Sequence, residues 1–577
     1  MKSFKEYRKY LVHFILWVAN LTILLFPLNA IDVPAIQRQQ IEQQRQIQRE
    51  QSLETQQRLD RPLSLGNDTW TDIAVDDQTA CVLIKQIEPA EFTHLTHRQR
   101  QTLIEPYQNR CLTMKAIQQL IEAVMRYYQT QGWITTQVGL AMPQNKLKQN
   151  ILVLSIHEGL VERVELNSDV HNPVLLKHLL FDDLVNEPLN MRSWERRLEH
   201  INRLASHQAK LTIKPGIKKQ HSIIEINDTT RPVTPLSLSI DNSGAEATGK
   251  NKVKLSFFQD DFLLPLGRLN LGYGESAHVD ETQLFSDSYS LGYSFPYHGF
   301  LWEYAASKSD YRTHQTLDNG DIFYSLGQTT EQSFYTAYEI FRNNQGKNSV
   351  KLGLTLRDEV SETEILDIRT ESEVGTRKLS IASLAYQHLV YLGEQTLYIN
   401  PSVRLGLNDF DALSDDDVDY NEKAQFKSLG LYGYLITPIK LADKKLRWQT
   451  TWDMQVSEDN LFGSEQFGVG GQYSVRGFKE ESLSGKSGFW IQNEWLLSLN
   501  NWLDLQGTPD FHISGFLDYG ELHSNQYTNH KFAGAGMKLA SYHQNLIFSL
   551  TLAKALVVPE VLDNEGWVAH FSFGIQF

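Results

Sequence analysis

The sequence predicts a transmembrane β-barrel over residues 231–577, preceded by two small α/β units over residues 81–230. Three observations point there. Trp, Tyr and Phe number 8 among the 200 residues 31–230 but 48 among the 347 residues 231–577. From Leu236 onward apolar and polar residues alternate with a period of two, as strands do when one face meets lipid and the other a wet lumen. After residue 30 no run of 18 apolar residues occurs, in a chain that is 41% hydrophobic, and this excludes a helical membrane protein.

A length of 577 residues is too great for one compact core, so at least two domains are expected. Lys and Arg total 54 against 69 Asp and Glu, a net charge of −15. That balance argues against nucleic acid or an anionic membrane surface as the main partner. Residues 1–30 read as an export signal, with Lys2, Lys5, Arg8 and Lys9 before an apolar stretch from Leu11 to Leu28 and a small residue, Ala30, for cleavage. Leu28 is less usual three positions before the cut, and an uncleaved anchor is the alternative.

Residues 35–59 hold ten Gln and no Pro or Gly, which favours a helix. Its apolar residues Ile36, Ile41, Ile47, Leu53 and Leu59 make no stripe. Such a helix sits in water or bridges domains, and a spacer is the plain alternative. Arg61-Pro62 ends it, and residues 61–80 read as a linker.

From Cys81 to Asn227 a β-α-α-β-β pattern occurs twice. The first unit offers a strand Val82–Ile87, a short helix near Arg98–Tyr107, a helix after Thr113, and strands Thr135–Ala141 and Ile151–His157. Ile117, Leu120, Ile121, Val124, Met125 and Tyr128 recur at helical spacing, with Thr113 a candidate N-cap and Gly132 a stop. The second unit offers a strand Val161–Leu166 and a helix around Val174–Leu184. A further helix bears Trp194, Leu198, Ile201 and Ala205, and strands Leu211–Lys214 and Ile223–Ile226 follow. The chain has two cysteines, Cys81 and Cys111, and in an exported protein such a pair is more often a disulfide than two free thiols.

In the second half Leu236, Leu238 and Ile240 alternate with polar residues, as do Val253, Leu255 and Phe257, and Leu352, Leu354 and Leu356. At the C-terminus Trp567, Ala569, Phe571, Phe573, Ile575 and Phe577 point one way and His570, Ser572, Gly574 and Gln576 the other. A soluble β-sandwich also alternates, but has little use for aromatic rings at its strand ends, where a membrane barrel sets its girdles.

No catalytic, cofactor or metal site is read. Gly244–Lys250 (GAEATGK) approximates a phosphate loop, but Asn251 replaces the hydroxyl residue and the stretch joins two strands, so it reads as a turn. His94 and His97 stand alone. The richest stretch is Glu465–Gly488, with six glycines in 24 residues, long enough for a hairpin loop to suggest a function. It carries Arg476. Further on, Ile513, Leu517 and Tyr519 take the apolar face of a strand, which turns Asp518 to the polar side. A loop cation and an inward carboxylate could pair across a channel.

These residues resemble a known family, the TpsB-type outer-membrane transporters of two-partner secretion (the ShlB, FhaC and HecB group). Cys81, Asn109-Arg110-Cys111-Leu112 and Gly132-Trp133-Ile134-Thr135-Thr136 are similar to the family's first POTRA domain. Leu189-Asn190, Ile201-Asn202-Arg203-Leu204 and Lys214-Pro215-Gly216 are similar to its second. The stretch from Glu465-Gln466-Phe467 to Val475-Arg476-Gly477-Phe478 resembles its VRG(Y/F) loop, and Phe516, Asp518 and Gly520 its FxDxG strand. Lys486 departs from the acidic residue often found in relatives.

The resemblance implies a signal peptide (1–30), a plug helix (31–60) and a linker (61–80), then POTRA domains over 81–159 and 160–230. A 16-stranded barrel over 231–577 follows, with a loop near 463–488 folded inward. It implies an Arg476–Asp518 salt bridge, Phe577 as C-terminal assembly signal, and an outer-membrane location with periplasmic POTRA domains. The implied partners are a secreted TpsA-type exoprotein bound through its N-terminal secretion domain, outer-membrane lipid and the barrel assembly machinery, with no nucleic acid. An insertase of the same superfamily is the alternative function.

Overall fold

The computed structural model describes residues 81–89, 97–170, 172–277, 284–316, 322–365, 368–371, 376–416, 421–441, 444–500, 510–523, 529–543 and 545–577. The expected export signal, Gln-rich helix and linker lie outside the described residues.

The first α/β unit runs β1 (Cys81–Ile84), β2 (Gln86–Pro89), α1 (His97–Ile104), β3 (Arg110–Thr113), α2 (Met114–Thr130), β4 (Gln137–Leu140) and β5 (Ile151–His157). Thr113 caps α2 by accepting the Ala116 amide at 3.2 Å, and Ile117, Leu120, Val124 and Tyr128 bury one helix face. Two expectations need correction. The strand Val82–Ile87 is broken, because the Lys85 and Gln86 amides both turn to the Asn150 carbonyl, at 2.8 and 3.3 Å. Its first half then pairs with β3, a strand not foreseen, while its second half joins the sheet β2-β5-β4. The Cys81–Cys111 disulfide ties β1 to β3.

The second unit keeps the β-α-α-β-β order: β6 (Leu160–Ser168), α3 (Pro173–Leu180), α4 (Met191–Asn202), β7 (His207–Pro215) and β8 (His221–Thr230). Its sheet has β8 between parallel β6 and antiparallel β7. Trp194 of α4 stacks on Phe181 with ring centroids 5.5 Å apart. Ala205, expected on α4, lies beyond it, because the Asn202 side chain turns to bond both backbone groups of Ala209, at 2.7 and 3.1 Å.

The rest is a closed antiparallel barrel of sixteen wall strands. They are β9 (Leu236–Asp241), β10 (Asn251–Gln259), β11 (Arg268–Ala277), β12 (Phe285–Tyr297), β13 (Phe300–Thr316), β14 (Ile322–Asn343) and β15 (Gly346–Ile365). After the short β16 (Ile368–Glu371) come β17 (Arg377–Leu392), β18 (Gln395–Leu407), β19 (Lys427–Leu441) and β20 (Lys444–Val456). Past the small hairpin β21 (Phe467–Val469) and β22 (Leu483–Gly485) follow β23 (Ser487–Ser498), β24 (Asp510–His523), β25 (Asn529–His543), β26 (Leu546–Val557) and β27 (Trp567–Gln576). Closure is β27 on β9, with Phe573 opposite Ile240. The period of two sorts the faces as expected. On β27 Trp567 and Phe573 are exposed while Val568 and His570 are buried. Leu238, Ile240, Val253, Leu255 and Leu352 likewise face outward. The stretch Gly244–Lys250 is the turn between β9 and β10.

Helix α4 and the start of β7 hold the second unit against the barrel's near-side turns. Arg196 donates to Tyr338 Oη at 2.8 Å, and Glu199 pairs with Arg342 and Lys347, each at 2.7 Å. His207 lies between Asp228 of its own sheet, at 2.8 Å, and Asp261 of the β10–β11 turn, at 2.9 Å. Burial opposes its charge, but hydrogen bonds to the two carboxylates outweigh that and push its pKa up to about 9.

Candidate functional site at the inward-folded loop

The connection 457–486 between β20 and β23 is polar and glycine-rich, a poor strand former, and it folds back against lumen-facing side chains. A 3-10 turn at Gly463–Glu465 opens it, and the β21–β22 hairpin rises to a tip that carries Val475 to Phe478. Lys486 donates to the Glu458 carbonyl at 2.8 Å, joining the two ends of the loop.

At the tip Arg476 meets the wall with almost its whole donor set. Its Nε donates to Asp518 Oδ2 and its Nη2 to Oδ1, both at 2.8 Å, and its backbone amide donates to Oδ2 at 3.1 Å. The remaining Nη1 donates to Glu494 Oε2 of β23 at 2.6 Å. The guanidinium carbon lies 3.7 Å from the centre of the Phe516 ring. This is the two-pronged carboxylate geometry that suits Arg and not Lys, with a cation–π contact on the open face.

The motif residues around it have separate tasks. Val475 and Phe478 are buried with Val469, Trp490, Leu522 and Phe532 in one apolar cluster, Phe478 edge-on to Phe532 at 5.2 Å. Gly520 leaves space for Val469, whose Cγ1 would lie 2.7 Å from a Cβ there. Phe516 is the lumen-facing platform under Arg476. Phe577 lies apart from the loop, its amide bonded to the Leu236 carbonyl at 2.8 Å where β27 closes on β9.

Three carboxylates that sequence reasoning missed complete the loop's seating. Glu494 is one, and its signal was readable: an acidic residue at lumen parity on the strand after the loop. Glu565, between β26 and β27, accepts the successive amides of Lys479, Glu480 and Glu481 at 2.8, 3.0 and 3.3 Å. Glu465 is fully buried between Arg357 of β15 and Arg404 of β18. The arrangement is one of anchorage: ions, backbone and rings hold a loop in a lumen. Among the described residues no group of three or more His, Cys, Asp or Glu could hold a metal.

With fold and loop in place, similarity to known proteins becomes decisive. A family model described as haemolysin secretion/activation protein ShlB/FhaC/HecB matches residues 220–540, more than half of the chain. The chain belongs to this family. As a ShlB/FhaC/HecB protein it is an outer-membrane transporter of two-partner secretion, a family that exports partner exoproteins. A second model, the ShlB-type POTRA domain, matches residues 82–159, and POTRA domains of this family lie in the periplasm. The outer membrane transporter CdiB of Escherichia coli O6:K15:H31 (strain 536 / UPEC) is 27% identical over 96% of this chain and 93% of its own. The hemolysin transporter protein ShlB of Serratia marcescens is 27% identical over 68% of each chain. In fold, CdiB from Escherichia coli superposes with a TM-score of 0.81 at 24% identity, over 95% of this chain and 100% of that one.

Proposed function

We propose that this transporter recognises one large exoprotein, a haemolysin or adhesin among the candidates, through that partner's N-terminal secretion domain. The POTRA units at the barrel mouth, over residues 81–159 and 160–230, are the receiving surface, by strand addition to a sheet edge and contacts beside a helix. The unfolded partner then passes through the lumen once the inward loop shifts. The Gln-rich segment 31–60 serves as a plug helix that leaves a wet lumen without exposing an apolar face, behind a signal peptide (1–30) and a linker (61–80). Phe577 ends the strand that the barrel assembly machinery reads during insertion into outer-membrane lipid.

The observation that carries this reading is the seating of Arg476 on Asp518 and Glu494, buried inside a closed barrel with polar lumen positions. A loop held that tightly inside the barrel is positioned for transport, and the pair keeps it in register. Removing one member of such a pair costs ~3–5 kcal/mol where water is excluded. Arg476→Ala is expected to cripple secretion while the barrel still reaches the surface. The test is to delete the gene, identify which secreted polypeptide disappears, and complement with wild type or Arg476→Ala. Normal secretion by the variant at equal surface abundance would sink the role given to the pair, and loss of many barrels instead of one exoprotein would favour an insertase.

A further inference from the structure

Beside the amides held by Glu565, two ion-pair grips hold the loop, with charges of opposite sign on different wall strands. At the tip a loop cation, Arg476, enters a wall site of two carboxylates, Asp518 and Glu494. At the root a loop carboxylate, Glu465, enters a wall site built around Arg357, Arg377 and Arg404, with Glu331 and Glu359 beside them. Between the grips the β21–β22 hairpin shares the tip's apolar cluster. Before the root, Leu461 and Phe462 pack on Leu379, Ile381 and Phe426, so Gly463 is the first residue beyond that packed pair.

The two grips differ in what they leave behind on opening. If Arg476 departs, Asp518, fully buried, loses its only ion-pair partner among the described residues, and Glu494 remains beside it with like charge. If Glu465 departs, two of the three wall cations keep a carboxylate. Arg357 keeps Glu331 through Nε at 2.9 Å and Nη2 at 2.7 Å, and Arg377 keeps Glu359 at 2.6 Å. Arg404, already partly exposed, hydrates, and Glu465 moves into water with its loop. A buried charge stripped of its partner is the expensive outcome, and only the tip produces it.

We infer that Glu465 is the releasable latch of the loop, a positioning residue whose opening lifts the Gly463–Gln466 segment off β15 and β18 while Arg476 stays fixed. This rests on the reading of the loop as the moving part of transport, so its test reports on each separately. The chain's two cysteines are both in the disulfide, so a single added cysteine reports locally. Ser464→Cys sits at the root and Ser474→Cys near the tip, both at buried positions. Labelling of whole cells with a membrane-impermeant maleimide, without induction of the partner, measures exposure of each site.

In the Glu465→Gln background Ser464→Cys should label at least ~10-fold faster, the factor for losing one charge-assisted hydrogen bond. Ser474→Cys should stay within about twofold, since the tip's bonds are untouched. Glu465→Asp, which keeps the charge, should return labelling towards wild type. Arg404→Gln removes the same ion pair from the wall side and serves if Glu465→Gln does not reach the surface. Parallel acceleration at both sites would mean that the loop leaves as one body, and unchanged labelling at Ser464→Cys that Glu465 holds nothing. Loss of secretion as deep as in Arg476→Ala, at equal surface abundance, would make Glu465 a fixed anchor. Each of these three overturns the inference. Normal secretion by Arg476→Ala would instead sink the transport role of the loop and leave the labelling result standing.

Discussion

Gly477 of the loop and Gly534 of β25 meet backbone to backbone: a Cβ on Gly534 would lie 2.7 Å from the Gly477 amide nitrogen. Gly534 is also the cross-strand partner of Asp518. The wall is therefore bare of side chain beside the carboxylate that receives Arg476, and the loop backbone fills the space. Gly534→Ala should push the loop off its seat without altering any charge. Overpacking of this kind costs about 1–3 kcal/mol, so secretion should fall severalfold or more at unchanged surface abundance. Gly515→Ala is the control, because a Cβ there meets nothing within 4 Å. Equal secretion by the two variants would show that the close approach has no consequence.

The guanidinium of Arg476 uses three of its nitrogens on two carboxylates and lies over Phe516. Lysine supplies the charge but neither the fork nor the flat face. Arg476→Lys should therefore behave much more like Arg476→Ala than like wild type in a secretion assay. Phe516→Leu should be milder, since a desolvated cation–π contact is worth ~2 kcal/mol. A lysine variant that secretes normally would reduce the site to simple charge neutralisation.

The barrel was legible because lipid and lumen impose a period of two on strand after strand, and β27 shows it residue by residue. Arg476 and Asp518 were legible because a cation in a glycine-rich loop and a carboxylate at lumen parity stand out locally, and the family resemblance joined them. Glu465 was not, since its partners Arg357 and Arg404 lie far away in sequence and become a site only when the wall strands line up. The same limit explains the first POTRA unit. The break at Lys85 is made by a carbonyl 65 positions on, at Asn150, and the unforeseen β3 has four residues, two of them exposed.

His207 predicts a pH dependence of the joint between the second α/β unit and the barrel. Its folded pKa is raised to about 9, against about 6.5 for a free histidine. The stabilisation is therefore complete below about pH 6.5 and is lost as pH rises through about 9, and Asp228 of the same unit and Asp261 of the barrel share it. Spin labels on β8 and on the β10–β11 turn should report a fixed distance at pH 6 and a broadened one above pH 9. His207→Gln, unable to carry charge between Asp228 and Asp261, should be broad at both. A wild-type distance that is unchanged across this range would show that the imidazolium does not hold the joint.

The disulfide makes a separate prediction about the first POTRA unit. Cys81 and Cys111 are 30 positions apart, and closing a loop of that length stabilises by roughly 3.5 kcal/mol in the chain-entropy model. The bond joins two four-residue strands that form a sheet of their own, and of the β1 side chains Ile84 alone is buried in the unit's core. The core residues Leu120, Val124, Leu152 and Leu154 lie on α2 and β5, outside both bridged strands. Cys81→Ser with Cys111→Ser should leave the barrel and its surface abundance intact. Limited proteolysis should then cut between residues 81 and 113 at least ten times faster than in wild type, with reductant producing the same change in the wild-type chain. If the double variant resists protease as wild type does, the remaining core alone fixes this edge, and the disulfide adds nothing to it.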